Sequence, residues 1–322
     1  MASGASQESA VTDLTGTTPR DGVTPAPVVR VAAGEPSTVS GMSLREAGRR
    51  PGIIHWRERN LLLGGGLILA IVLLALFAPA IAPHGAQETD YTARLASPSW
   101  SHPFGTDNLG RDIFSRIIYG TRIDLRVGAI SVLFPFVLGT ILGCLAGYYG
   151  GLIDTAIMRL VDIVQAFPFL ILIIAIVAVL GPGLRNMYIA VAIVAWVTYA
   201  RLLRGEILVA KHREYVEAAR SMGASDIRVI GRHILPNVIS SALVYAMADV
   251  ILYIVLAASL SYLGLGARPP APEWGAMITE GRTFLSTAWW ISAFPGLAIV
   301  VTGIAFSILG DGLADALRPS RR

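Results

Sequence analysis

The sequence predicts an all-α integral membrane protein with six transmembrane helices. Two compositional observations support this prediction: 54% of the 322 residues are hydrophobic, and only 15% are charged. A soluble domain carries about 25% charged residues, with which it covers its surface. The third observation is a mean hydropathy of +0.61, concentrated in long apolar runs. Lipid is therefore the expected solvent for much of the chain.

The beginning of the chain differs from the rest. It is rich in Ala, Ser, Thr, Gly, Pro and Val, and it contains no aromatic residue before Trp56. A segment of this composition cannot bury enough apolar surface to fold. We therefore predict a disordered cytoplasmic N-terminal tail over residues 1–55. The first apolar run starts near Leu61, which is too far along the chain for a secretory signal peptide.

Apolar runs long enough to span a membrane define the elements that follow. A helix needs about 20 apolar residues to cross a hydrocarbon core of about 30 Å. The candidate runs are 61–83, 127–149, 161–181, 187–203, 238–263 and 288–310. Each must be helical, because lipid offers no partner to unpaired backbone groups. We assign residues 56–126 to the first span and an outer loop with an amphipathic helix, and residues 127–322 to the core transmembrane domain.

Gly and Pro residues inside these runs predict kinks or close contacts between helices. They are Pro79, Pro135, Gly139, Gly143, Pro168 and Pro295.

The distribution of positive charge predicts the orientation. With both termini on one side of the membrane, 18 of the 26 Arg and Lys residues fall on that side. Positive residues concentrate in the cytoplasm, so the prediction is a multi-pass protein with both termini inside. Trp289 and Trp290 then lie at the outer end of the sixth span, where interfacial aromatic residues are expected. Nucleic-acid binding is not expected, because the basic residues flank apolar runs and form no basic face.

The loop at 205–236, between the fourth and fifth spans, predicts a helix, a glycine turn and a second helix on the cytoplasmic side. Four residues share one face of the first helix by spacing: Tyr215, Ala218, Ala219 and Met222. Gly223 is a natural C-terminal stop, since glycine readily adopts the left-handed conformation. Ser225 and Asp226 can cap the second helix, and Pro236 either ends it or begins the fifth span. By period alone, an ordinary amphipathic surface helix fits equally well.

The residues of this loop carry a family resemblance. Glu217-Ala218-Ala219, then Gly223, then Leu235-Pro236 resembles the EAA motif of ABC importer permeases, with His233 at the isoleucine position. In that family the helix docks into a groove of the cytoplasmic ATPase. Together with the apolar runs, the resemblance gives the predicted architecture: six transmembrane helices with a cytoplasmic EAA coupling helix. The resemblance assigns ATPase coupling to Tyr215, Glu217, Ala218, Ala219, Arg220, Met222, Gly223, Leu235 and Pro236.

Two outer segments resemble signatures of the dipeptide/oligopeptide (DppC/OppC-like) group of these permeases. The first segment contributes Gly105, Thr106, Asp107, Gly110, Arg111 and Asp112. The second contributes Pro272, Glu273, Trp274 and Gly275. The chain's end, 310–319, is similar to the GDGLRDALDP ending of that group. By their chemistry alone the first segment suits a turn or cap, and the second is a rigid linker or a contact for the substrate-binding protein.

Asp249 is an acid within the fifth apolar run. A charge at mid-membrane costs about 2.5–3.5 kcal/mol on insertion scales, so this side chain should face a cavity or a partner. Two interpretations remain open. Asp249 either lines the translocation path and meets a peptide's amino terminus, or it is a hydrogen-bonded acid between helices.

Several chemistries have no signature in the sequence. It contains no phosphate-binding loop and no G-x-S-x-G elbow, and its five His residues and single Cys144 show no metal-ligand spacing. We therefore expect no catalytic residue, metal site or cofactor in this chain, and the resemblance places ATP and Mg on separate subunits.

The resemblance implies the permease subunit of an ATP-driven importer of di- or oligopeptides in the bacterial cytoplasmic (inner) membrane. The partners implied are a homologous second permease (DppB/OppB-like), two cytoplasmic ABC ATPases, an extracytoplasmic substrate-binding protein, the peptide and the lipid bilayer. The alternatives are an importer of nickel or another small solute and, from other classes, a secondary transporter or a membrane enzyme. A secondary transporter would need internal inverted repeats, which the sequence does not display.

Overall fold

The computed structural model describes residues 52–317, with side chains described from residue 59. The predicted tail therefore lies outside the described residues as far as residue 51. The described helices are α1 (Gly52–Leu76), α2 (Ala78–Ile81), α3 (Ile113–Tyr149), α4 (Gly151–Gln165), α5 (Phe169–Leu180), α6 (Leu184–Ala210), α7 (Glu214–Ser221), α8 (Asp226–Arg228), α9 (Leu235–Tyr262), α10 (Trp274–Gly281) and α11 (Trp290–Leu317).

Five helical segments of the described range are long and apolar enough to cross a membrane: α1, α3, α6, the stretch from α8 through α9, and α11. A sixth crossing exists if α4 and α5 count as one bent span. The all-α membrane fold predicted from the sequence is therefore confirmed.

The predicted third span, 161–181, is wrong as a single helix. The chain bends by 84° between α4 and α5. Pro168 stands at the break, where it offers no backbone N–H and restricts the residue before it. The 12 residues of α5 extend only about 18 Å, less than the hydrocarbon thickness. The break therefore divides the predicted span into two short helices.

The outer amphipathic helix predicted before residue 127 is not a separate element. It forms the first turns of α3, whose 37 residues run through the boundary drawn at 126/127. The Asp112 side chain accepts a 2.8 Å hydrogen bond from the Ser115 N–H and so caps this helix. Ile113, Ile117 and Ile118 are buried, because this face packs inside the protein and not on a membrane surface.

Glycine permits the closest helix contacts. A Cβ at Gly139 would lie 2.5 Å from the Trp196 carbonyl oxygen, and one at Gly143 would lie 2.8 Å from that of Ala200. The predicted close contacts at these two glycines are confirmed, and they join α3 to α6. A Cβ at Gly64 would likewise meet the backbone of α11 at 2.4 Å. Small residues let membrane helices approach where apolar burial gives little driving force.

Candidate functional site

The loop predicted to couple to an ATPase forms α7, a glycine turn and α8. Gly223 has φ +80°, its N–H donates to the Arg220 carbonyl, and the Ala224 N–H donates to the Ala219 carbonyl. These two bonds define a Schellman motif, which ends α7 as the sequence predicted. Ser225 occupies the N-cap of α8, but its side chain makes no capping bond there.

One face of α7 is open to a partner. Tyr215 is 43% exposed and Met222 80% exposed, and Ile227 in α8 is 81% exposed. Ala218 shares this exposed face. The predicted face is wrong for Ala219, which turns inward with Val216 and is buried. The exposed surface is therefore built around Ala218 and the side chains of Tyr215 and Met222, the latter at the C-cap of α7.

The segment after α8 is a π-helical turn, Val229–Ile234, that continues into α9. Pro236 lies in the first turn of α9, so the second of its two predicted roles is confirmed. His233 holds the isoleucine position of the motif but is only half-buried. Ile234, beside it, is fully buried and supplies the apolar anchor. π-turns recur at functional sites, and this one joins the coupling loop directly to a membrane helix.

The coupling loop is tied to the end of α3. The Tyr148 hydroxyl donates a 2.6 Å hydrogen bond to Asp226, and the Arg220 guanidinium lies 5.0 Å from the centre of the Tyr148 ring. Lys211 Nζ donates a 2.9 Å bond to the Gly147 carbonyl. These contacts therefore connect the loop to α3. The sequence analysis missed Tyr148 and Lys211, because no local pattern relates them to the EAA segment.

The first outer signature builds a buried ion network. Asp107 accepts 2.6 Å bonds from both Arg111 Nε and Arg116 Nη1. The same two arginines donate to Glu280 in α10, at 2.7 and 2.8 Å. The charges of the four side chains balance, as buried ions require. This segment therefore does more than make the predicted turn: it joins the first outer loop to α10.

Glycine and a hydroxyl complete this loop. Gly105 and Gly110 have φ +74° and +75°, which only glycine adopts easily. Thr106 Oγ accepts a 2.9 Å bond from the Ala96 N–H, and its carbonyl accepts one from Trp290 Nε1 at 3.1 Å. Trp290 begins α11, at the predicted end of the sixth span, but its side chain is buried in the protein. Trp289, just before the helix, is 54% exposed.

The second outer signature is buried within the chain. Glu273 caps α10 by accepting from the Gly275 and Ala276 N–H groups at 2.9 and 2.7 Å, and it accepts a 2.8 Å bond from Ser261. Burial raises the pKa of Glu273, although these hydrogen bonds pull the pKa down in part. Trp274 Nε1 donates to the Ile117 carbonyl at 3.2 Å. With Pro272 also buried, this segment holds α3, α9 and α10 together.

Asp249 borders a cavity of about 420 Å³. The side chain is 5% exposed and accepts hydrogen bonds from the Tyr199 and Tyr253 hydroxyls, at 2.7 and 3.3 Å. Gln165 and Tyr245 also line the cavity, which opens beside the bend between α4 and α5. Asp249 thus has the features of both predicted roles: a bonded acid between helices and a carboxylate beside an accessible space.

Membrane-length helices, an exposed coupling loop and a cavity between helices define a transport permease. A solved inward-facing structure of the MetNI methionine ABC transporter shares the fold, with TM-score 0.51 over 63% of this chain and 97% of that chain, at 19% identity. A second inward-facing crystal form of MetNI gives TM-score 0.51 over 64% of this chain and 98% of that chain, at 18% identity.

Sequence comparison identifies the family. Residues 139–322 match the binding-protein-dependent transport system inner membrane components, and residues 57–98 match the N-terminal TM domain of oligopeptide transport permease C. The chain belongs to this family of ABC importer permeases. The predicted family is therefore confirmed, and the secondary-transporter alternative is removed.

Two curated relatives are similar over most of their length. The glutathione transport system permease protein GsiD of Pectobacterium atrosepticum is 47% identical over 84% of this chain and 92% of its own. The dipeptide transport system permease protein DppC of Alkalihalophilus pseudofirmus is 44% identical over 83% of this chain and 90% of its own. As a multi-pass membrane permease of an ABC importer, the chain works with ATPase and permease subunits and a binding protein.

Proposed function

We propose that this chain is the permease subunit of an ATP-driven importer of di- or oligopeptides. Its similarity to permeases named for glutathione and dipeptide transport supports a peptide substrate. The observation that carries the proposal is the Asp249 carboxylate beside a cavity of about 420 Å³. A fixed carboxylate there complements the ammonium group of a peptide's amino terminus, so Asp249 lines the translocation path.

Both termini and the coupling loop lie in the cytoplasm in this proposal. The excess of Arg and Lys in the tail, the coupling loop and the C-terminal segment supports this orientation. The partners are a homologous second permease, two cytoplasmic ATPases that hold ATP and Mg, and an extracytoplasmic binding protein. The chain itself binds lipid and peptide, contributes no catalytic residue and hydrolyses no nucleotide.

Transport proceeds by alternating access. ATP binding closes the ATPase pair. The pair then moves α7 through its contacts with the exposed Tyr215 and Met222 side chains. Movement of α7 reaches α3 through Tyr148, and it reaches α9 through the π-helical turn. Loaded binding protein and ATP each favour one arrangement of the helices, which is the differential affinity that such switching requires.

Uptake by the purified complex tests this function. The complete complex, in proteoliposomes, should take up a labelled dipeptide only with binding protein outside and hydrolysable ATP inside. An excess of unlabelled dipeptide should compete, whereas Ni²⁺ should not. Accumulation of Ni²⁺ without dipeptide uptake would favour the small-solute alternative and contradict a peptide substrate.

A further inference from the structure

Three side chains distant in sequence meet at the outer end of α3. His84 follows α2, His102 lies in the first outer loop, and Asp112 caps α3. One nitrogen from each histidine and one carboxylate oxygen all lie within 4.8 Å of one another. The sequence analysis considered the histidines scattered, because residues 84 and 102 show no metal-ligand spacing. Folding of the outer loop creates the cluster.

The distances suit a tetrahedral metal ion. His102 Nδ1 lies 3.0 Å from Asp112 Oδ1, and the centres of the two imidazole rings are 5.0 Å apart. With bonds of about 2.0 Å, two ligand atoms of a tetrahedral zinc lie ~3.3 Å apart, and the centres of two ligating imidazoles lie ~5 Å apart. Small side-chain movements therefore bring all three ligand atoms onto one ion.

Neighbouring groups hold the ligands in place. Asp112 uses Oδ2 to accept from the Ser115 N–H at 2.8 Å, which leaves Oδ1 facing His102. The His84 backbone N–H donates to Ser115 Oγ at 3.2 Å. Ligating carboxylates in metal sites are commonly hydrogen-bonded in this manner, which fixes their orientation.

The surroundings leave one coordination position open. Asp112 is buried, whereas both histidines are half-buried and so partly accessible to solvent. Two imidazoles and one carboxylate form the donor set of three-ligand zinc sites, in which water occupies the fourth position. Mg²⁺ and Ca²⁺ prefer oxygen ligands alone, so this donor set selects against them.

We propose that His84, His102 and Asp112 bind one Zn²⁺ ion on the outer side of the protein. The ion links the end of α2, the outer loop and the first turn of α3. It therefore fastens the outer signature loop, which begins three residues after His102, to the start of a membrane helix. This site is separate from the proposed translocation path, since none of the three residues borders the cavity at Asp249.

Zinc binding by the purified, tag-free complex tests the proposal. Wild-type complex, equilibrated with ZnCl₂ and freed of unbound metal, should hold one more zinc per chain than His84→Gln or His102→Gln. His212→Gln, which changes an exposed histidine of the coupling loop, is the matched control and should retain the ion. Equal zinc content in wild type and His84→Gln would overturn the proposal and leave only a His102–Asp112 hydrogen bond.

Thermal unfolding provides a second measurement. ZnCl₂ should raise the Tm of the wild-type complex and of His212→Gln, because an ion that binds only the folded state stabilises it. It should leave the Tm of His84→Gln unchanged, whereas any effect of MgCl₂ should be the same in all three proteins. His84→Gln leaves both partners of the 3.0 Å His102–Asp112 contact in place, and a wild-type Tm without zinc shows that the variant is folded. A zinc response equal in all three proteins would contradict the assignment.

Discussion

The Tyr148 hydroxyl donates a 2.6 Å hydrogen bond to the Asp226 carboxylate, across 78 residues of sequence. Tyr148 stands at the C-terminal end of α3, and Asp226 begins α8. The Arg220 guanidinium covers the same ring from α7. One aromatic side chain therefore contacts both helices of the coupling loop, and it connects them to the longest helix of the membrane domain.

Removal of this hydroxyl should weaken coupling and leave assembly intact. Tyr148→Phe keeps the ring that Arg220 covers and removes the hydroxyl that bonds Asp226, a bond worth about 1 kcal/mol because Asp226 is exposed. We expect fewer peptides transported per ATP hydrolysed, measured in proteoliposomes. Tyr149→Phe, which alters the adjacent half-exposed ring, is the control and should match wild type. A normal ratio for Tyr148→Phe would exclude this bond from the coupling route.

The turn after α7 depends on a left-handed residue. Gly223→Ala should strain the Schellman motif by about 1–2 kcal/mol, because a Cβ is unfavourable at φ +80°. Transport should fall, with the complex still assembled in the membrane. Gly205→Ala is the control: it lies inside α6, where a new Cβ meets nothing within 4 Å. If both variants transport equally, the shape of the glycine turn does not matter for coupling.

Close packing of α3 on α6 makes a separate prediction about stability. Gly139→Ala places a Cβ 2.5 Å from the Trp196 carbonyl oxygen, and overpacking of this kind costs about 1–3 kcal/mol. The Tm of the detergent-purified complex should fall. Gly65→Ala adds the same methyl group to α1 with nothing within 4 Å, so its Tm should not fall. Equal Tm values for the two variants would mean that the close contact of α3 and α6 at Gly139 does not limit stability.

The sequence predicted the fold where its signals were local. Long apolar runs located the membrane helices, and Gly223 located the end of α7. The bend at Pro168 escaped prediction, because proline is tolerated inside membrane helices and its effect depends on the packing around it. Ala219 was assigned to the wrong face, since spacing alone does not reveal which side of an amphipathic helix is covered.

The candidate sites were predictable only in part for a related reason. Asp107 and Arg111 stand four residues apart, but their partner Glu280 is 169 residues from Arg111. Tyr253 is one helical turn from Asp249, whereas Tyr199 comes from another helix. A lone sequence carries no signal for such long-range pairs. Asp249 could be identified from the sequence because a charged side chain in lipid is energetically unfavourable. Its hydrogen-bond donors could not be identified in this way.

The buried cap of α10 should make stability depend on pH. Burial raises the pKa of Glu273, so the folded state retains its proton at pH values where the unfolded chain has lost it. The folded state then binds more protons, and stability falls as pH rises from the ordinary carboxyl pKa to the raised one. Glu273→Gln, which keeps an acceptor for the α10 N–H groups, should flatten this slope in Tm against pH. An unchanged slope would show that Glu273 is not its source.

The charge of Asp249 should matter more than its hydrogen bonds. Asp249→Asn keeps the size of the side chain and an acceptor for Tyr199 and Tyr253, but it removes the charge that faces the cavity. A charge-assisted contact to a peptide ammonium is worth about 1.5–3 kcal/mol, so uptake efficiency should fall by about 10- to 100-fold at unchanged expression. Tyr199→Phe removes the 2.7 Å bond and retains the charge, and it should keep most of the uptake. Loss in Tyr199→Phe with wild-type uptake in Asp249→Asn would make Asp249 a structural acid between helices, with no contact to substrate.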